Sequence, residues 1–284
     1  MKNLQTFHNN CMRNILGLAK RTSIAALLIL SGQIPVENQI EIMRLKFLRI
    51  LLEDETAREV ILRQYVTKQE NSNSLIPPLV LLLQKYSLPT ILDLYSNPMK
   101  KEAWKNLVKR KVIEQVKHSI ELEAKEKSSL IYLSPVFNFN CIHSSLQNIN
   151  SPREATRACV MARLLTGTYI LQTSKINTSI AKNQHSTDIC PLCKEVPEDI
   201  AHFILKCPNL EETRQKYIMS IKNLIPRSYE PDQMTEDIIL QIILDPNHPQ
   251  VQIDLPETCK VNLKHISRNL CYALHVKRSF ILSR

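Results

Sequence analysis

At 284 residues the chain is long enough for one large domain or two smaller ones, each able to bury a core. Three glycines against fifteen prolines weigh against folds built from many tight φ > 0 turns, and 44% apolar with 23% charged residues weighs against wholesale disorder. A mainly α protein follows, and its net charge of +10 suits a partner that is a polyanion.

The longest apolar runs, Ile24–Leu30 and Leu79–Leu83, fall short of the roughly 20 residues that cross a bilayer, so no membrane partner is expected. The opening residues have neither an apolar h-region nor a small-residue cleavage site, which points to an intracellular protein. In a reducing compartment, eight cysteines read as thiols or metal ligands.

In chain order, Val36 to Val66 reads as one long amphipathic helix with Ile40, Met43, Phe47, Leu48, Leu51 and Leu52 on its inner face. Ile76-Pro77-Pro78 opens a second apolar helix, proline being tolerated in a first turn. Asn97-Pro98 starts a third, to about Lys127, with Trp104, Val108, Val112 and Val116 inward and Lys101, Lys105 and Lys109 outward. Ser151-Pro152-Arg153-Glu154 is a capping box, and Gly167 sits where the helix it starts needs a left-handed cap. Arg153 and Arg157 share a face of that helix, with Arg163 about 80° to the side. A helix across Thr235–Leu244 stops at Asp245-Pro246, and a terminal helix runs from about Leu263 to Ile281.

Charge is uneven: residues 188–260 hold seven basic and thirteen acidic residues, whereas 261–284 hold five basic and none acidic. The strongest chemical signal lies in the acidic stretch. Cys190-Pro-Leu-Cys193, then His202 and Cys207, has the spacing of four ligands of one structural Zn²⁺, with no position left for a catalytic water. Glu198 and Asp199 read as early helix acids with His202 on the inner face. Cys207 would lie about 140° away on a continuing helix, so the helix must end and curl back near Lys206. His185 is a rival ligand. Cys11, Cys141, Cys159, Cys259 and Cys271 read as buried small hydrophobes, and the other histidines, His143 and His275 among them, show no carboxylate or nucleophile partner.

Several blocks resemble the post-palm, C-terminal region of LINE-type (non-LTR) retrotransposon reverse transcriptase polyproteins. They are Arg13–Thr22 and Leu30–Val36, then Trp104-Lys105 with Val108-Lys109, then Glu123-Ala124 with Lys127–Leu130. The most specific runs from Arg163–Tyr169 through Cys190, Cys193, His202 and Cys207 to Arg214. The resemblance implies thumb-like helices over 1–66, a helical connector over 67–150, an Arg-bearing helix plus CCHC knuckle over 151–260, and a C-terminal helix over 261–284. It implies RNA or DNA as partner, a separate polymerase-bearing protein as a second, and a nuclear location. The chain has no Asp-Asp pair and starts after the palm would end, so neither polymerase nor endonuclease activity is expected, and no small-molecule substrate. Phosphate contacts are expected from Arg153, Arg157, Arg163, Lys182 and Lys206, with Lys101, Lys105 and Lys109 as a further ridge. Two alternatives stand: a zinc-stabilised protein-interaction module that docks through Arg268, Lys277 and Arg278, and a truncated element copy with no selected role.

Overall fold

The computed structural model describes residues 2–67, 75–173, 187–225, 235–251 and 256–284. These are mainly helical, as expected, and their one extended pairing is an antiparallel bridge between Ile189 and Pro197. The helices are α1 (Lys2–Ile15), α2 (Ile24–Ser31), α3 (Val36–Leu51), α4 (Glu55–Val66), α5 (Ile76–Lys85), α6 (Ile91–Ser96), α7 (Lys101–Glu126), α8 (Pro152–Leu165), α9 (Glu211–Leu224), α10 (Glu236–Leu244) and α11 (Glu257–Leu282). Among the described residues no helix is long and apolar enough to cross a membrane. The chain forms two compact units: the segment up to His8 with Gln33–Glu121, and Asn9–Gly32 with Leu122–Arg284.

In the first unit the helix expected over Val36–Val66 is broken. Asp54 caps a new helix, its Oδ1 accepting the Ala57 N–H at 2.8 Å, and Glu55 adds the negative charge a helix N-terminus favours. The inner face of α3 also differs from the expected one. Ile42, Leu45 and Leu48 are buried, while Met43 and Phe47 are 60% and 50% exposed. The rotation brings Glu41 inward, where the Asn38 amide at 3.0 Å, the Lys85 ammonium at 2.7 Å and the Tyr86 hydroxyl satisfy its carboxylate. The Trp104 stripe of α7 is buried as expected, and the indole N–H of Trp104 donates to the Leu45 carbonyl at 2.8 Å. The capping box of α6, Thr90 with Asp93, escaped the sequence reading.

In the second unit α2 is buried from Ala25 to Ser31. It ends at Gly32 with φ +65, where a side-chain carbon would lie 2.3 Å from the Cys141 carbonyl oxygen, so only glycine fits. The strand-free chain beyond it is held by backbone bonds from Asn140 to Gly32 at 2.8 Å and from His143 to Leu30 at 3.0 Å. Ser151 caps α8 by accepting the Glu154 N–H at 3.2 Å, and Glu154 reaches back one residue further than a capping box does, to the Asn150 N–H at 2.9 Å. Gly167, φ +62, follows the end of α8 as expected. Helices α8, α9 and α10 pack on α11, which begins at Glu257 because Pro256 sets its boundary, earlier than the expected Leu263.

Candidate metal centre

The cysteine pair sits on a tight turn closed by the Ile189–Pro197 bridge. Cys190 N–H bonds to the Val196 carbonyl at 2.7 Å, and Lys194 N–H returns to the Cys190 carbonyl at 2.9 Å. The turn places Lys194 at φ +62, a left-handed conformation that costs a non-glycine residue about 1–3 kcal/mol and persists only where its surroundings demand it. Asp199 then caps a helical turn starting at residue 200, its Oδ1 accepting the His202 N–H at 2.7 Å.

From His202 to Lys206 the backbone widens into a π-turn, closed by Cys207 N–H to the His202 carbonyl at 2.8 Å. The expected ending at Lys206 occurs, and the π-turn is its means. Five residues of regular α-helix would carry Cys207 about 140° off the His202 face, and the extra residue in the turn offsets most of that rotation. Ligand atoms of Cys190, Cys193, His202 and Cys207 all lie within 4.8 Å of one another, a cluster that can hold a metal ion. The Cys190 and Cys207 sulfurs are 3.9 Å apart, and Cys193 Sγ is 3.5 Å from His202 Nε2.

Burial pushes the Cys207 thiol up to about 12, with the neighbouring Cys190 adding to it. Burial likewise raises Cys190, against N–H groups of Cys193 and Leu192 turned on its sulfur. At Cys193 burial also opposes ionisation, but N–H groups of Glu195 and Val196 and the Cys190 thiol outweigh it and hold the thiol below its usual range. Burial lowers His202, which favours the neutral imidazole a metal needs. Three sulfurs already served by backbone donors, and crowded so that two resist ionisation alone, are an environment a dication would convert to thiolates.

Three polar residues fix this module to its surroundings. Buried Arg214 donates to the carbonyl of Leu205 and, at 2.6 Å, to that of Cys207, which also accepts the Leu210 N–H at 3.1 Å. The Asn209 amide reaches the Leu192 carbonyl at 2.5 Å and so ties the two ligand-bearing segments. Glu198 is not the early helix acid that was expected. It is fully buried in a two-bond ion pair with Arg278 of α11, at 2.7 and 2.9 Å, and also accepts the Gln172 N–H at 3.0 Å.

The basic residues separate on inspection. Arg163 donates to the Gly17 carbonyl at 2.7 Å, and Lys206 pairs with Glu236 at 2.5 Å, so both are engaged within the chain. Lys101 and Lys109 are exposed on α7, and Lys105 pairs with Glu102 at 2.7 Å. Lys182 and His185 lie outside the described residues. Arg153 and Arg157 of α8 converge with Lys277 of α11 on an open groove of about 420 Å³. Arg268 and Arg278, expected to dock a partner, are buried.

Two expectations about isolated residues fail. Among the remaining cysteines Cys271 is buried, but Cys141 is exposed. His143 does have a carboxylate partner: its Nε2 lies 3.3 Å from buried Asp245, and its Nδ1 accepts the Ser145 N–H at 3.3 Å with the Ser145 hydroxyl at 2.9 Å. Ser145 is buried in a turn that His143 caps, so this set joins loops rather than presenting a nucleophile. Asp245 also accepts the N–H groups of Ser134 at 2.9 Å and Asn247 at 3.1 Å. The partners lie about a hundred residues apart, and no sequence spacing marks them. His275 meets the Tyr169 hydroxyl at 2.8 Å, and Tyr169 stacks on Phe203, next in sequence to the candidate ligand His202, with ring centroids 5.3 Å apart.

No protein-family model matches the chain, and no curated protein or solved structure does.

Proposed function

We propose that the chain is a non-catalytic nucleic-acid-binding module held by one structural zinc ion, and that it derives from the post-palm region of a LINE-type retrotransposon polyprotein. The donor set supports zinc in particular. Zn–S bonds of about 2.3 Å and Zn–N bonds of about 2.0–2.1 Å at tetrahedral angles imply S···S and S···N edges of about 3.8 and 3.5 Å. The corresponding separations here are 3.9 and 3.5 Å. With four protein donors no position remains for a reacting water, so the ion's role is to fold the Cys190–Cys207 segment.

The observation that carries the binding role is the convergence of Arg153, Arg157 and Lys277 on one groove that, among the described residues, no carboxylate lines. Residues 188–260 are acidic as a whole, and the groove draws its cations from α8 and α11 on either side of that stretch in sequence. Docking to a protein through Arg268 and Arg278 is disfavoured by their burial. The bound partner on this reading is RNA or DNA, in the nucleus, in company with a separate polymerase-bearing protein. The test is binding of labelled RNA and DNA by the zinc-loaded protein at two salt concentrations. Affinity should fall steeply with salt, and Arg157→Ala should weaken it and reduce the salt slope by about one. Salt-insensitive or absent binding would refute the reading.

A further inference from the structure

The groove between α8, α9 and α11 combines its cations with three aromatic rings. Tyr217 comes from α9, and Tyr272 and Phe280 come from α11. On α11 Asn269, Tyr272, Val276 and Phe280 follow one another at steps of three and four residues, so they form a single lengthwise row. At 1.5 Å per residue, the row from Tyr272 to Phe280 is about 12 Å long. Phe280 is 51% and Val276 47% exposed, unusual for apolar residues side by side on the outer face of a terminal helix. The guanidinium of Arg157 lies 6.0 Å from the Tyr272 ring centroid, and that of Arg284 lies 4.3 Å from the Phe280 centroid. Tyr272 and Phe280 thus each have a cation over the ring already, so that ring and guanidinium stand together where base and phosphate of one nucleotide would engage them.

Asn269 adds a polar side chain to the lining of the groove. After Glu257, α11 carries no acidic residue, so nothing on that helix repels a polyanion along the row.

Resting on the nucleic-acid reading above, we propose that this groove takes an unpaired strand, with bases stacked on Tyr272, Phe280 and Tyr217 and phosphates held by Arg153, Arg157 and Lys277. A duplex keeps its base faces stacked inside and shows phosphates outside, so it can use the cations but not the rings. Sequence preference is weak in this mode, because every base has a π-face.

The test is fluorescence anisotropy of the zinc-loaded full chain with labelled oligouridine and oligodeoxythymidine, against a hairpin duplex of equal charge. Variants are Phe280→Ser, Tyr272→Leu and Arg157→Ala, each checked for zinc content and helicity. Phe280→Ser is the control for folding, since the ring it removes is exposed. The single strands should bind at least tenfold tighter than the duplex. Each ring substitution should weaken single-strand binding about five- to hundredfold and leave duplex binding unchanged. Arg157→Ala should weaken both. Equal affinity for strand and duplex, with the ring variants silent, would overturn the inference and leave the nucleic-acid reading intact. Binding of neither would overturn both.

Discussion

The Trp104 region and the Cys190–Cys207 segment show two ways of holding a chain. Around Trp104 the apolar stripe of α7 is buried with Leu45 and Leu48, and burial of area is the main stabilising force. From Cys190 to Cys207 there are eighteen residues, one isolated bridge and a short helical turn, too little to build an apolar core of its own. That segment relies on polar links at defined points: four candidate ligands, the Arg214 guanidinium on two carbonyls, and the Glu198–Arg278 pair. Area-driven packing tolerates substitutions of similar volume, whereas point links fail one at a time.

Removing the metal should have the largest effect. Structural zinc supplies about 10–16 kcal/mol of apparent folding free energy in small zinc modules. Chelation or Cys207→Ser should therefore open the segment around residues 187–210 to proteolysis. Emission from Trp104, the chain's one tryptophan, should not change at first, which would separate the two kinds of region. Next comes Arg278→Ala, which leaves Glu198 charged and buried and should cost about 3–5 kcal/mol in chemical denaturation. Replacing both partners, Glu198→Leu with Arg278→Met, should recover most of that loss, because no unpaired charge remains. Trp104→Ala should cost a similar 3–5 kcal/mol but leave zinc content unchanged.

A smaller effect tests the Asp245 junction. Burial alone would raise its carboxyl, but the His143 ring and the N–H groups of Ser134 and Asn247 hold it below the ordinary carboxylate range. A carboxyl lowered in the fold stabilises above its unfolded value of about 3.9, and the contribution disappears as pH falls through the folded value. Asp245→Asn should thus lower stability at neutral pH by about 1–3 kcal/mol and flatten the acid limb of a stability-versus-pH curve below pH 4.

What the sequence made legible follows the same division. The α7 stripe, the Ser151 cap and the Gly167 terminator are local patterns, written at fixed spacings and visible without a partner. The four candidate ligands were visible for the same reason, and even the end of the turn at Lys206 could be argued from angles. The break at Asp54 was hidden because apolar periodicity carries on across it, and the inner face of α3 shifted because buried Glu41 counts as polar in any pattern. Glu198 with Arg278, and His143 with Asp245, meet across 80 and 102 residues, so only the folded chain pairs them. The groove went unseen because α9 was not recognised, which left Tyr217 without a face to share with Arg157 and Tyr272. Early acids Glu211 and Glu212 and the spacing of Tyr217 and Ile221 were the available signal.

The central claim is that a closed metal centre folds the segment beside the groove. It is met most directly by metal analysis of the purified full chain alongside Cys190→Ser and Cys207→Ser. The account predicts close to one zinc per chain in the parent and a loss in both variants, with protease cutting newly confined to the segment around 187–210. A metal-free parent that resists protease there, or variants that keep their zinc, would contradict it.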